Sequence, residues 1–369
     1  MYPFREGSFA VKNGWYVAAF AKDVGRELVG RTILERSIVL YRKEDGEAVA
    51  LAGRCPHRHF PLAAGCLKGD TVICGYHGIA FDATGTCVDI PAQEFIPKSY
   101  RIQRFPLVEH GMWLFIWMGD PDQADPALLP DLAEIGYAGE GIVAKPFYFH
   151  EVACRYQLLN DNLLDLTHLG FLHGTSIGNR DNATTPEDIT HRPGFLSSRR
   201  VARNSPQPPF GVHRLRDWNG PVDRVIGMDF YLPGIHCGIS ETYYPEGHEK
   251  AGELFHWGRV FHAVTPSTKG SCYYWFGASS YNADELDYAN KYLPSVIDED
   301  IFASVEIEKM LSLEAEDTRE FMLKTDTNAV RARRMLQAMM DAEAAQAAAP
   351  ATADEDAGFV PAFDEPERG

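Results

Sequence analysis

The chain has 369 residues, 45% of them hydrophobic and 24% charged, so it can fill one large core or two ordinary ones. Its formal net charge of −17 argues against nucleic acid or an anionic membrane surface as a partner. No run approaches the roughly 18 apolar residues of a membrane span, and the N-terminus lacks the order of a signal peptide. We therefore expect a cytoplasmic globular protein.

The first part of the chain, from about residue 13 to 120, consists of short apolar or alternating runs separated by Gly and Asp. Such runs predict antiparallel β-structure. Examples are WYVAAF, TILERSIVLYR, AVALAG and MWLFIWMGDP. The stretch GDPDQADPALLPDL that follows is rich in acids and prolines, as surface connections are, and we place a domain boundary near 120–145.

The second part mixes strands and helices. FYFHEVACRYQ predicts a strand that leads into a helix over residues 158–173, and the Pro-, Arg- and Ser-rich residues 178–225 predict a long loop. Strand-like runs return in VIGMDFYLPGIHCGI, LFHWGRVFHAVTP and SCYYWFGASSY, and two helical patterns follow. From Asp341 onward the chain has eight acidic residues and a single basic residue, Arg368. This composition indicates a solvated or partly disordered tail.

Two short stretches of the first part carry cysteine and histidine at metal-ligand spacing. RCPHRHF holds a Cys-x-His pair, and after sixteen further residues CGYHG holds a Cys-x-x-His pair. The four potential ligands are Cys55, His57, Cys74 and His77. A structural zinc ion accepts two thiolates and two imidazoles, usually with a helix carrying the histidines. A Rieske [2Fe-2S] cluster binds one iron through two thiolates and the other through two histidines. Both pairs lie in turns between strand-like runs, which favours the cluster.

This pattern resembles the signature of the Rieske oxygenases that hydroxylate or demethylate aromatic rings. Respiratory-type Rieske proteins carry two further cysteines that bridge the loops, at positions that here hold Phe60 and Tyr76. The resemblance therefore points to the oxygenases or their ferredoxins. His59 also lies in the first loop, but its spacing matches no ligand, so we expect a surface or hydrogen-bonding role.

A second motif, Asn162-x-x-Asp165-x-x-His168-x4-His173, decides between a carrier and an enzyme. Steps of three residues on a helix would place the first three side chains along one side. Two nearby histidines are weak signals alone, since core histidines often bind carboxylates. After a Rieske pair in the same chain, the motif resembles the mononuclear iron site of Rieske oxygenases. That family adds a carboxylate from a late helix, which matches Asp300, with Asp298 as its rival. Acids at a helix start can also simply complement the helix dipole.

The resemblance gives Asp165 and Asn162 roles other than that of a ligand. It implies that Asp165 accepts hydrogen bonds from His168 and from a cluster histidine, His77, of a neighbouring subunit, so that electrons cross between chains. This arrangement implies a head-to-tail homotrimer. Asn162 would lie behind the iron.

The resemblance extends from residue 13 to the helix after Asp300. Over this range the chain is similar to the oxygenases that demethylate vanillate, dicamba and related aromatics. It implies one [2Fe-2S] cluster and one mononuclear Fe(II) per chain, with O2 as cosubstrate. Since no Gly-x-Gly-x-x-Gly signature is present, a ferredoxin or a flavin-containing NAD(P)H reductase would deliver electrons. The expected reaction is O- or N-dealkylation of a small aromatic compound. His262 and Tyr292 are candidates for contact with it.

We thus expect an α+β protein. An N-terminal all-β Rieske domain would span residues 1–130, and a catalytic domain of helix-grip type, with an antiparallel sheet flanked by helices, would span 131–340. The acidic tail would take residues 341–369. Two alternatives stay open: a dioxygenase that forms a cis-diol on the ring, and a Rieske electron-transfer protein without oxygenase activity.

Overall fold

The computed structural model describes residues 3–210, 218–313 and 320–348. In these residues the strands are β1 (Trp15–Phe20), β2 (Val29–Ile33), β3 (Arg36–Arg42), β4 (Ala48–Ala52), β5 (Cys66–Lys68), β6 (Thr71–Ile73), β7 (Ala80–Phe81), β8 (Cys87–Asp89), β9 (Arg104–Phe105), β10 (Leu107–His110), β11 (Trp113–Trp117), β12 (Val143–Val152), β13 (Glu187–Arg192), β14 (Phe195–Ser205), β15 (Val222–Tyr231), β16 (Ile235–Tyr243), β17 (Leu254–Thr268) and β18 (Ser271–Ser280). The α-helices are α1 (Tyr156–Leu164), α2 (Asp181–Thr184), α3 (Ala283–Leu313) and α4 (Thr327–Ala348).

The N-terminal part is built from three small sheets, with strand orders β1-β11-β10, β2-β3-β4-β9 and β5-β6-β7-β8. All of their neighbouring strands pair antiparallel, as the sequence predicted. The two strands β1 and β11 are buried at every position, which explains why their sequences are continuous apolar runs without alternation.

A seven-stranded antiparallel sheet, of order β12-β18-β17-β16-β15-β14-β13, forms the second part. Alternate residues of β18 belong to different cores, because successive side chains of a strand point to opposite faces. Tyr273 and Trp275 pack in the core shared with β1 and β11, whereas Tyr274 and Phe276 pack against α1, α3 and α4. The predicted α+β class, all-β first and then an antiparallel sheet with helices, is confirmed.

The prediction of a long loop over residues 178–225 was wrong. Helix α2, the hairpin β13–β14 and the start of β15 occupy more than half of it, with a turn at Gly194, whose φ is 72°. Two of the arginines that suggested a loop are paired on the sheet. Arg199 binds Asp229 of β15 at 2.7 Å, and Arg200 binds Glu187 of β13 at 3.2 Å.

The predicted helix over residues 158–173 was also too long, because α1 ends at Leu164. The backbone of Asp165 is extended, with φ −98° and ψ 95°, and its carboxylate accepts a hydrogen bond from the Thr167 N–H at 2.8 Å. An Asp side chain that satisfies the backbone two residues ahead competes with helix continuation. A short 3₁₀ turn then follows at His168–Gly170.

The acidic tail begins later than predicted, since α4 continues to Ala348. Its first acids bind the N-terminal segment. Asp341 forms an ion pair with Arg5 at 3.0 Å, and Glu343 accepts hydrogen bonds from the backbone N–H groups of Lys12 and Asn13. Residues 349–369 lie outside the described residues.

The long helix α3 covers the open face of the seven-stranded sheet. Asn282 begins it, because its side chain accepts a hydrogen bond from the Asp284 N–H at 2.9 Å. At about 1.5 Å per residue, the fifteen steps from Glu285 to Asp300 extend along about 22 Å of that face. In the described part of the chain, no helix combines the length and hydropathy that crossing a bilayer demands.

Candidate active site

The two loops that hold the Cys and His pairs adopt the same turn. The carbonyl of Cys55 accepts a hydrogen bond from the His59 N–H at 2.9 Å, and that of Cys74 accepts one from the Gly78 N–H at 3.0 Å. Both donors have positive φ, 59° at His59 and 74° at Gly78. His59 thus occupies the left-handed position that glycine fills in the other loop, which explains its presence without a ligand role.

The turns bring the four predicted cluster ligands to one end of the N-terminal part. Cys55 and Cys74 are each 2% exposed, whereas His57 and His77 are exposed and their ring centroids are 4.6 Å apart. A tetrahedral zinc ion would hold all four donors within about 4 Å of one another, given bonds of roughly 2.0–2.3 Å. In the described residues, the one group of three or more His, Cys, Asp or Glu donors within 4.8 Å lies elsewhere. Buried sulfurs and exposed imidazoles fit a two-iron cluster instead, in which the two sulfurs bind one iron and the two imidazoles bind the other.

That other group consists of His168 and His173, from the segment that follows α1, and Asp300 of α3. The His173 Nε2 and Asp300 Oδ1 atoms are 2.8 Å apart, and the His168 Nε2 and Asp300 Oδ1 atoms are 3.4 Å apart. Two imidazoles and one carboxylate on one side of an ion form the facial triad of non-haem iron enzymes. The rival acid, Asp298, is exposed and does not join the group.

Further side chains hold these three in place. The Asn162 Nδ2 donates to Asp300 Oδ1 at 3.1 Å, which puts Asn162 beside the triad. On the far side of His173, its Nδ1 donates to Glu299 Oε2 at 2.5 Å. A carboxylate in that position fixes the orientation of a metal-binding imidazole and raises its basicity.

The charges inside the group are mutually stabilising. Burial alone would raise the pKa of Asp300, but hydrogen bonds from His168 and His173 outweigh it and hold that pKa below its usual range. Burial likewise opposes protonation of His173, yet Asp300 and Glu299 raise its pKa above the ordinary value. A carboxylate that stays ionised in a buried site is suited to bind a cation.

The contact predicted between His168 and the Asp165 carboxylate is corrected by the structure. The His168 Nδ1 bonds to the backbone carbonyl of Asp165, while the carboxylate binds Thr167. The early end of α1 causes the difference, since the extended backbone at Asp165 turns its carbonyl toward the imidazole. Asp165 is half-buried.

A cavity of about 200 Å³ opens beside the three ligand side chains, between α3 and the sheet. Its lining is mostly apolar, with Leu163, Ile226, Met228 and Val260 among the contributors. Both predicted substrate residues, His262 and Tyr292, also line it. His262 is 7% exposed and its Nδ1 bonds to the Tyr274 hydroxyl at 2.6 Å, and burial lowers its pKa to about 4. The ring is therefore neutral near pH 7.

Two residues of this site escaped the sequence prediction. Glu299 directly precedes Asp300, but nothing in the spacing shows which of the neighbouring acids turns inward. Arg224, which also lines the cavity, lies in the segment mistaken for a loop. An alternating reading of residues 222–228 as a strand would have placed Arg224, Ile226 and Met228 on one face.

Comparison with known proteins agrees with both halves of this arrangement. Residues 14–105 match the Rieske [2Fe-2S] domain, and residues 152–342 match the Vanillate O-demethylase oxygenase C-terminal domain. The oxygenase component of dicamba O-demethylase from Stenotrophomonas maltophilia is 32% identical over 91% of this chain and 99% of its own. A vanillate O-demethylase oxygenase subunit from Pseudomonas sp. (strain HR199) is 32% identical over 72% of this chain and 76% of its own.

A solved structure extends the likeness to the fold. The crystal structure of dicamba monooxygenase with non-heme iron and dicamba superposes with a TM-score of 0.76 at 30% identity, covering 92% of this chain and all of that chain. The cofactors of this chain are one Rieske [2Fe-2S] cluster and one mononuclear iron, which the two donor sets fit. The chain belongs to the Rieske non-haem iron oxygenases, in the group of the vanillate and dicamba O-demethylase oxygenase components.

Proposed function

We propose that this oxygenase removes an O- or N-alkyl group, such as a methyl group, from an aromatic substrate. The observation that carries the proposal is the position of His168, His173 and Asp300 beside a largely apolar cavity in a chain that also has Rieske loops. When bound, the cluster supplies single electrons and the iron supplies open coordination positions for O2. We propose Cys55, His57, Cys74 and His77 as the cluster ligands.

The protein's own residues orient the iron ligands. We propose that His168, His173 and Asp300 bind the iron while Asn162 holds the Asp300 carboxylate and Glu299 holds the His173 ring. Each of these hydrogen bonds fixes one ligand side chain in a single orientation beside the cavity, where these side chains would hold the iron. Binding in the cavity removes water from the alkyl carbon and holds that carbon near the ligand set.

The substrate contacts are proposed from the cavity lining. Neutral His262 can hydrogen-bond a polar substituent without adding charge, and Tyr292 adds an aromatic wall, with its ring centroid 6.1 Å from that of Phe210. Insertion of one oxygen atom of O2 into a C–H bond of the alkyl group gives a hemiacetal or hemiaminal, while two electrons from the donor and two protons convert the other oxygen atom to water. That product collapses to the dealkylated aromatic and an aldehyde.

We further propose that a ferredoxin, a flavin-containing NAD(P)H reductase or both deliver the electrons. Relatives of this chain are named as oxygenase components, which supports a separate donor. A cytoplasmic location is also proposed, because the NAD(P)H pool of the cytoplasm would feed that donor and because none of the described cysteines forms a disulfide.

A head-to-tail homotrimer is proposed as the working assembly. Exposed aromatic side chains at both ends of the electron path support it: Tyr76, beside the cluster ligand His77, is 59% exposed, and Phe171, between the two iron-binding histidines, is 77% exposed. Large apolar side chains in such positions are typical of buried contacts between subunits. In the trimer, Asp165 of one chain would accept a hydrogen bond from His77 of the next.

The function is tested by product analysis with the purified oxygenase, a ferredoxin and its reductase. A panel of methoxy- and N-alkyl aromatics should include compounds that release one aldehyde per O2 consumed. His168→Ala should keep the absorption spectrum of the cluster and release no aldehyde, whereas His191→Ala, at an exposed histidine of β13, should release it normally. A cis-diol product would favour ring dihydroxylation, and unchanged aldehyde release by His168→Ala would contradict the assignment.

A further inference from the structure

A largely buried ion pair joins helix α1 to helix α4. Arg333 of α4 donates to the Oδ2 atom of Asp161, from its Nε at 3.0 Å and from its Nη2 at 2.6 Å. The Oδ1 atom of Asp161 accepts a hydrogen bond from the Gln157 side chain at 2.8 Å. The side chains of Arg333 and Asp161 are only 16% and 14% exposed. Both carboxylate oxygens are thus engaged, which fixes α1 relative to α4.

The pair keeps its charges near neutral pH. Burial raises the pKa of Asp161 to about 6, and the guanidinium of Arg333 opposes this rise. The carboxylate is therefore mostly ionised at pH 7. A buried pair adds little net stability, because the desolvation of both charges offsets much of their attraction. Its effect on the geometry of the two helices is more specific, since the hydrogen bonds have defined directions.

The residue that follows Asp161 contacts the iron site. Asn162 donates to Asp300 Oδ1 at 3.1 Å, and the same oxygen lies near both histidines of the triad. Adjacent residues of an α-helix point about 100° apart. The side chain of Asp161 thus extends from α1 toward α4, and that of Asn162 extends toward α3. A rotation of α1 that broke the first contact would displace the second.

Toward the sheet, α1 has a contact of another kind. Asn160 is 0% exposed, and its Oδ1 atom lies 2.9 Å from the Nε2 atom of His236 in β16. Burial lowers the pKa of His236 well below its ordinary value, so this hydrogen bond joins two neutral groups. The neutral contact holds α1 to the sheet and the charged contact holds it to α4, so α1 is restrained from two directions.

We propose that Arg333 is a positioning residue for the mononuclear iron site. Through Asp161 it holds α1 where Asn162 reaches Asp300. The inference rests on the proposed function, since it takes Asp300 and the two histidines as the iron ligands. It makes iron binding depend on α4, a helix that supplies none of these ligands.

The test measures the Fe(II) affinity of the mononuclear site without turnover, by competition with a chelator on protein that keeps its cluster. Loss of a group that orients a metal ligand typically weakens binding about tenfold to a hundredfold. Because Arg333 acts through two intervening residues, we expect Arg333→Met to show the lower end of this range, about tenfold. The matched control is Arg334→Met, at an exposed arginine of the same helix, which should stay within about twofold of the wild type.

A double-variant cycle separates positioning from a general structural role. A merely structural role would lower the stability to urea and leave the Fe(II) affinity unchanged. If Arg333 acts through Asn162, Arg333→Met should weaken Fe(II) binding by less than about twofold in a protein that already carries Asn162→Ala. Arg333→Lys keeps the positive charge with a different geometry, and it should weaken binding only about threefold. This smaller loss should also disappear in the Asn162→Ala protein, so the cycle can be completed with lysine if Arg333→Met fails to fold.

Arg333 also binds Glu320, at 2.7 Å, and this contact needs a control of its own. The Glu320 side chain is 34% exposed, so Glu320→Gln should keep the Fe(II) affinity within about twofold of the wild type. A tenfold loss in Glu320→Gln would show that Arg333 acts through Glu320 and would overturn the inference.

Wild-type affinity in Arg333→Met, or an equal loss with and without Asn162→Ala, would also overturn it. Because neither electrons nor substrate are supplied, the result does not depend on the reaction. Absence of aldehyde release together with the expected pattern of Fe(II) affinities would contradict the proposed function alone.

Discussion

The contact between Glu299 and His173 gives the most specific prediction about the metal site. Glu299 is not a ligand, but it accepts a hydrogen bond at 2.5 Å from the ring of a histidine that is 0% exposed. Removing a carboxylate that orients a metal-binding histidine typically lowers metal affinity about tenfold to a hundredfold. The Glu299 side chain is 34% exposed, so water can partly replace it. We therefore expect Glu299→Ala to weaken iron binding by about tenfold, or about 1.4 kcal/mol.

Asp298→Ala is the matched control, because Asp298 is the adjacent acid on the same helix and is exposed. Iron affinity of the mononuclear site is measured by competition with a chelator, and the visible absorption of the cluster reports on the other metal site. Glu299→Ala should lose mononuclear iron at a lower chelator concentration than the control, with an unchanged cluster spectrum. Equal iron affinity in the two variants would refute the role assigned to Glu299.

Three further predictions concern packing, pH and assembly. Leu336 lies in the core between α4 and the sheet, so Leu336→Ala should lower the free energy of unfolding, measured in urea, by about 2–5 kcal/mol. Leu313 is 76% exposed, and Leu313→Ala should change that free energy by less than about 0.5 kcal/mol. Similar losses in the two variants would contradict the packing. Because the pKa of His262 is about 4 in the folded chain and about 6.5 when unfolded, its share of the stability should disappear as pH falls between these values. His262→Gln should flatten the pH dependence of urea unfolding, and parallel curves would contradict the assignment. Coexpressed His77→Ala and His168→Ala subunits should recover aldehyde release that neither variant shows alone, and no recovery would argue against transfer between subunits.

Much of the site could be predicted from the sequence because its residues lie in short local patterns. The cluster loops depend on tight turns, and the spacing of Cys55, His57, Cys74 and His77 is a property of those turns. The choice of Asp300 over Asp298 depended on resemblance, and the structure shows the physical difference. Asp300 is 5% exposed and lies against the two histidines, whereas Asp298 faces solvent.

The errors arose where distant residues decide local structure. Arg199 and Arg200 gave β14 the composition of a loop, but Asp229 and Glu187 on neighbouring strands neutralise them. The end of α1 depends on the Asp165 side chain, whose bond to Thr167 competes with the helix. Hydrophobic periodicity does not include such side-chain bonds, so it extended the helix through His173.

The most direct test of the central claim is a single turnover monitored by iron and product. The purified protein should contain three iron atoms per chain, two in the cluster and one mononuclear, since a [2Fe-2S] cluster and one further ion are expected. After anaerobic reduction of the cluster and addition of O2 with a methoxy-aromatic substrate, the amount of formaldehyde should approach the amount of mononuclear iron. A reduced, fully loaded protein that oxidises its cluster without forming any oxygenated product would contradict the oxygenase account.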